Sequence, residues 1–288
     1  MEIRLNYKKS INENVNDIYE EIKKLKNKIK GAEEAINEME EKIKNREIEL
    51  KSKKEKILRE RKFWFEKFHW FITNNGHLFI AGKDATTNEI IIKKHLEDTD
   101  LVFHTLTPGS PFGILKLKEK IENYFPEIYE TLKNKESEIN ELEECAIFVS
   151  SFSKLWKSEF TVSDAFYVKP EQVSKKAPSG EYLSKGSFMI YGEKNIINVE
   201  LGLGITLIND VLMIAPIKTT IFFSELFNTD YVLIKKGNKR KYIEAIKLIA
   251  KFFNVDENEV QRIMPSGNCD LSFFKRERSS DQIDKSED

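Results

Sequence analysis

Between Gln172 and Lys185 the chain sets Lys175, Lys176 and Lys185 among Gln172, Ser174, Ser179 and Tyr182. Cations that reach phosphates, amides and hydroxyls that hydrogen-bond, and a phenol ring that can stack form the mixture that holds a single RNA strand. Two turn points, Pro178-Ser179-Gly180 and Lys185-Gly186, break the segment. A buried strand would run apolar or alternate, so the stretch reads as presenting side chains to a partner. The competing reading is a structural loop that packs back through Tyr182 and Pro178.

Two further places carry polar groups in suggestive settings. Gly82 to Glu89 reads GKDATTNE, with Lys83 and Asn88 flanking Asp84. Lys83 and the helix start near Asp84 suit an RNA phosphate, or Asp84 caps the helix and Lys83 is solvated; Asp84 itself fits a cap better than a phosphate ligand. His104 ends an apolar run beside Thr105-Leu-Thr-Pro-Gly-Ser-Pro111, where small residues leave backbone groups accessible; it is either a contact residue or a satisfied, partly buried histidine. The basic run Lys235 to Lys241 is read as a solvated turn with some salt-sensitive phosphate affinity.

Catalytic chemistry finds no support. Gly202-Leu203-Gly204 lacks the third glycine of a dinucleotide loop, and there is no P-loop or nucleophile elbow. His69, His77, His95 and His104 show no metal-binding helical spacing. No catalytic residue, metal or cofactor is expected. The alternatives are a dimeric scaffold without RNA binding and, less supported, an RNA- or nucleotide-acting enzyme using His104 with Asp84 or Glu181.

The elements that must position these groups follow from pattern. Of 288 residues, 40% are hydrophobic, enough for a sizeable core, and 33% are charged, much of that in the first sixty. The net charge of −1 decides nothing about nucleic acid, because local patches bind phosphates. Cys145 and Cys269 suggest neither a disulfide framework nor a metal site. Neither a membrane-length apolar run nor a signal-peptide h-region is visible, so a cytoplasmic protein with no membrane partner is expected.

Ile11, Val15, Ile18, Ile22, Leu25, Ile29, Ala32, Ile36, Met39 and Ile43 alternate steps of four and three, a coiled-coil seam that needs a partner helix. A charged helix packed along its own domain is the other reading. Beyond it the pattern predicts a hairpin over His69–Gly82 with Asn75-Gly76 as its turn, and a helix from Asp84 to Glu97. It predicts strands at Asp100–Thr105 and Gly113–Lys118 and one helix over Pro126–Trp156. Further strands are expected at Ala165–Val168, Ser187–Tyr191, Ile205–Ile214, Thr219–Phe223 and Tyr231–Lys235, then a helix over Arg240–Phe253. The expected architecture is α+β, a mixed or antiparallel sheet with flanking helices over 62–274, preceded by a coiled-coil arm over 1–61 and followed by a disordered tail over 275–288.

Two blocks carry a family resemblance. QVSKKAPSGEYLSKGSFMI, Gln172–Ile190, resembles the signature of the NFACT-R domain, and Phe63–Thr105 is similar to the start of that domain in the archaeal and eukaryotic NFACT proteins of ribosome-associated quality control. Ile11–Ile43 resembles the helix that leads into NFACT-R and pairs with an upstream helix. His104 and Gly109 match the family pattern; Lys83 stands where arginine is usual, losing a bidentate fork, and Leu106 and Pro108 stand where an aspartate and a second histidine are common.

The resemblance implies a non-catalytic component that recognises large ribosomal subunits obstructed by peptidyl-tRNA and helps recruit tRNA to extend the nascent chain. It implies RNA contacts at Lys83, Asn88, His104, Gln172, Lys175, Lys176, Ser179, Tyr182 and Lys185. Expected partners are the large subunit, tRNA and a helix from a separate NFACT-N polypeptide or a second copy; elongation itself is expected to need that N-terminal part.

Overall fold

The apolar seam folds as one helix, α1, Ile11–Glu55. Its start is a reciprocal cap: the Ser10 N–H donates to Glu13 Oε2 at 2.7 Å and the Glu13 N–H to Ser10 Oγ at 3.3 Å. Ile11, Val15, Ile22, Leu25, Ile29, Ile36 and Met39 are exposed, so α1 presents an apolar stripe, and no coiled coil is seen among the described residues. The structure, a computed structural model, describes residues 6, 8, 10–55, 63–158, 160–176 and 183–276. It divides into two compact units, 1–57 and 58–288.

The second unit is α+β with antiparallel sheets. Strands β1 (His69–Ile72) and β2 (His77–Ala81) form the expected hairpin, but Asn75-Gly76 is not a two-residue turn. That turn needs positive φ at both positions, whereas Gly76 at φ +80 has it and Asn75 does not. Gly76 instead closes a longer loop through its N–H to the Thr73 carbonyl at 3.0 Å.

Glu141 holds this loop, accepting hydrogen bonds from Thr73, from Asn75 Nδ2 at 3.1 Å and from His77 Nδ1 at 2.8 Å. Burial alone would raise the Glu141 pKa, but those partners outweigh it and leave the carboxyl below its usual value. A depressed folded pKa stabilises above the unfolded value and is lost as pH falls through the folded one. Glu141→Gln should therefore cost about 1–2 kcal/mol near neutrality. The gap in urea midpoint between wild type and variant should shrink as pH drops below about 4.5. A gap that stays constant down to about pH 3, below the ordinary range of a glutamate, would rule this out.

After the hairpin come α2 (Ala85–Ile90), continued with wider π geometry over Ile91–His95, then β3 (Leu101–Thr105) and β4 (Gly113–Lys120). The single helix expected over Pro126–Trp156 is instead α3 (Pro126–Leu132), α4 (Glu141–Ser151) and a 3-10 turn at Lys154–Lys157. Asn140 starts α4 afresh, its Oδ1 accepting from the N–H groups of Leu142 and Glu143. Then follow β5 (Val162–Val168), the short pair β6 (Val173–Ser174) and β7 (Met189–Ile190), and β8 (Asn195–Glu200). The first sheet runs β1-β2-β4-β3-β5-β8. Phe71, Phe79, Phe103 and Phe148 fill the space between it and α4.

The remainder is β9 (Leu203–Ile208), β10 (Val211–Pro216), α5 (Ile217–Phe227), β11 (Tyr231–Arg240), α6 (Tyr242–Phe253), α7 (Glu257–Ile263) and β12 (Cys269–Phe274). The second sheet runs β10-β9-β11-β12. The strand expected over Ile205–Ile214 is a hairpin, because Asn209 and Asp210 both adopt positive φ, 48° and 61°. The strand expected over Thr219–Phe223 is helix α5. Its β-branched run is overridden by Glu144 of α4, whose Oε2 accepts from the Thr219 N–H at 3.2 Å and Oγ1 at 2.7 Å, satisfying a donor of the first helical turn. Cys145 and Cys269 are buried free thiols. No helix among the described residues is long and apolar enough to cross a membrane.

Candidate nucleic-acid interface

A cleft of about 780 Å³ opens where the loop after β3, the start of α2 and the segment before β7 meet. Its charged walls are Lys83, Lys154, Lys185 and Lys194 against Asp84 alone among the described residues, and Phe112, Phe166 and Phe188 line its floor. The three rings belong to a small buried cluster with Val102 and Val168. A cationic rim over an apolar floor is a surface that suits the phosphates of a nucleic acid.

Each wall has a local cause. Asp84 caps α2, its Oδ1 accepting from the Thr87 N–H at 2.8 Å while Thr87 Oγ1 accepts from the Asp84 N–H at 2.8 Å. That backbone bond, first among several hydrogen bonds and the charge of Lys185, lowers the Asp84 pKa. Asp84 is thus committed to the cap. Asn88 Oδ1 accepts from the Phe112 N–H at 3.1 Å. A Cβ on Gly82 would lie 2.0 Å from that same oxygen, so the glycine is required for the α2 start to meet the loop.

His104 Nδ1 donates to the Thr105 carbonyl at 2.7 Å, and the ring lies beside Phe112 and Phe166 with centroids 4.5 and 6.0 Å off. Burial lowers its pKa against the opposing pull of backbone hydrogen bonds. The carbonyl requires the proton on Nδ1, so the neutral ring keeps a lone pair at Nε2. It suits a hydroxyl or base amino group better than a phosphate.

Lys154 joins the cleft because its N–H donates to the Gly109 carbonyl at 3.1 Å and its stem crosses that residue. Gly109 has φ +107, and a Cβ there would come 2.6 Å from Lys154 Cδ. Gly186, at φ +79, lets the Lys185 turn close onto Ala85, whose backbone would lie 2.6 Å from an added Cβ. Lys194 Nζ sits 4.8 Å from the centre of the Phe166 ring.

The structure divides the expected contact residues. Lys83, Asn88, His104 and Lys185 line the cleft. Gln172 does not: its Nε2 donates to the carbonyls of Tyr191 at 2.9 Å and Glu193 at 2.8 Å, and its Oε1 accepts from the Lys169 N–H at 2.9 Å. Lys175 is likewise engaged, with the carbonyls of Ser184 at 3.1 Å and Ser187 at 3.0 Å, Glu89 at 3.6 Å and the Phe188 ring at 4.9 Å. Both staple the segment that carries Lys185. Lys176 is exposed outside the cleft lining, while Ser179 and Tyr182 lie outside the described residues.

Lys154 and Lys194 were not legible as site residues, each being an isolated lysine brought in by tertiary packing. In the basic turn at the end of β11 two of the cations face carboxylates, Lys239 with Asp270 at 3.5 Å and Arg240 with Glu244 at 2.7 Å, and Lys236 Nζ donates to the Phe160 carbonyl at 2.7 Å. No group of three metal-ligating side chains occurs among the described residues.

Comparison with known proteins places this geometry in context. Residues 67–192 match the family described as NFACT protein RNA binding domain, a span that includes every lining residue of the cleft but Lys194. The chain is 40% identical over 225 residues to the archaeal Rqc2 homolog aRqcH of Methanocaldococcus jannaschii, covering 76% of this chain and 30% of that protein. It is 31% identical over 216 residues to the ribosome quality control complex subunit NEMF homolog of Drosophila melanogaster, covering 74% of this chain and 18% of that one. To the human ribosome quality control complex subunit NEMF it is 36% identical over 142 residues, covering 49% and 12%. The chain thus spans less than a third of the length of these relatives.

Proposed function

We propose, from the premise that residues 67–192 of this chain belong to the NFACT RNA-binding domain family, that the chain is a non-catalytic RNA-binding component of ribosome-associated quality control. The observation that carries the reading is the cleft: among the described residues four lysines against one aspartate, over a floor with Phe112, Phe166 and Phe188, inside and just beyond the matched region. In it Lys154, Lys185 and Lys194 hold phosphates, with Lys83 beside them, while His104 and the aromatic floor meet sugar and base. Lys176, Ser179 and Tyr182 remain proposed RNA contacts, the last two outside the described residues, and Gln172, Lys175 and Asn88 position the segments that wall the cleft.

The RNA partners in this reading are the large ribosomal subunit and tRNA; the name of one relative, a ribosome quality control complex subunit, agrees with a ribosomal partner in general. Helix α1 is proposed to pair with a helix of a separate NFACT-N polypeptide or of a second copy, a role supported by its exposed apolar stripe.

Co-sedimentation tests the reading. The purified chain is expected to pellet with large ribosomal subunits that carry peptidyl-tRNA, more than with empty ones, and to be released as salt rises. Failure to pellet with either at low salt would count against it.

A further inference from the structure

His69, the first residue of β1, stacks on Phe152 at the end of α4, with ring centroids 3.8 Å apart and planes 26° apart. This pair lies where two clefts meet. The cleft described above and a second one of about 570 Å³, lined also by Lys67, Asn258, Gln261 and Arg262, share His69, Lys83 and Phe152 as walls. The second cleft therefore carries the groove on toward α7, beyond the matched span of 67–192.

His69 is only partly exposed, and its Nδ1 is buried with no hydrogen-bond partner. Burial, and secondarily the charge of Lys83, lower its pKa well below the usual histidine value, so the ring is neutral at pH 7. A neutral imidazole has one N–H and one lone pair. An unmatched lone pair at buried Nδ1 costs less than an unmatched N–H there, which puts the proton on Nε2. The ring thus offers an uncharged donor next to an aromatic face. That combination gains little from an anionic phosphate, for which the neighbouring lysines are suited, but matches the flat, acceptor-bearing edge of an unpaired base.

We propose that one unpaired nucleobase of a bound RNA strand is held at this junction, its acceptor edge on the His69 imidazole and its ring at the edge of Phe152, as the strand passes from one cleft to the other. This rests on the RNA-binding reading above and assigns it a base-contacting site.

The test uses the full chain and ten-nucleotide probes: decauridylate, decaadenylate and a ribose-phosphate chain of equal length without bases. Wild type is expected to bind the preferred base-bearing probe about tenfold more tightly than the abasic one, the size of a base-to-aromatic contact. His69→Phe keeps a ring on Phe152 but lacks the N–H. It is expected to narrow that gap about threefold, the size of one neutral hydrogen bond, while abasic affinity and salt dependence stay as in wild type. Phe152→Leu provides a second variant, and its gap should shrink likewise; unfolding of either is read from its urea midpoint. An intact gap in the folded variants, or an equal loss on the abasic probe, overturns the inference. Equal wild-type affinity for all three probes overturns it together with the base contact assigned to the first cleft, whereas no wild-type binding to any probe overturns the RNA-binding reading as a whole.

Discussion

Replacing Lys154, Lys185 and Lys194 together by alanine is expected to weaken single-stranded RNA binding about a hundredfold at low salt, with little change in fold. The three ammonium groups sit on the rim of one cleft and all three residues are exposed, so none supports the core. Every phosphate that a lysine no longer neutralises takes about 0.7 off the slope of log affinity against log salt for a single strand. Three such changes should lower the slope by about 2, and at about 1 kcal/mol each they account for the affinity change. The ion-paired cations at the end of β11 give the control: Lys239→Ala with Arg240→Ala should leave both affinity and slope near wild type. Equal weakening in the two variants, read by fluorescence anisotropy, would mean that general positive charge rather than the cleft binds RNA.

The largest stability effect is expected at Lys116. Its Nζ donates to Asp100 Oδ2 at 2.7 Å and to the His95 carbonyl at 2.8 Å, and the side chains of Lys116 and Asp100 are 2% and 0% exposed. Asp100 also accepts from the Glu97 N–H at 2.8 Å, so the pair ties β4 to the end of the π turn and the start of β3. Burial raises the Asp100 pKa, against the pull of Lys116, which marks how costly its charge is in this place. Lys116→Ala leaves that carboxylate without its cation and should cost about 3–5 kcal/mol. The double change Lys116→Met with Asp100→Leu removes both charges and should recover most of that stability. Urea midpoints decide it; a double variant no better than the single would mean that packing, and not the uncompensated charge, is the cause.

Patterns with a strong local signal were legible in the chain. The heptad spacing of Ile11 to Met39 marks a long helix, Asp84 marks a cap, and the apolar runs around His69, Leu78 and Leu101 mark strands. Failures trace to tertiary causes. Helix α5 reads as a strand until Glu144 supplies its first-turn acceptor, and Ile205 to Ile214 reads as one strand because Asn209-Asp210 is a less familiar turn pair than Asn-Gly. The site shows the same division. Lys83, Asn88, His104 and Lys185 were visible from motif context and line the cleft, whereas Gln172 and Lys175 look like contacts in sequence but spend their polar atoms on backbone carbonyls. Lys154 and Lys194 could not be found without the fold, because Gly109 and Phe166 are what draw them in.

The central claim is that the lysine-rimmed cleft is the RNA-contacting face, and photo-crosslinking to a thiouridine-containing single strand tests it most directly. The predicted result is crosslinked peptides from Gly82–Asn88, His104–Phe112, Phe152–Lys154 and Lys185–Lys194, the segments that wall the cleft. Crosslinks confined to Lys235–Lys241 or to α1, with none in those segments, would contradict it.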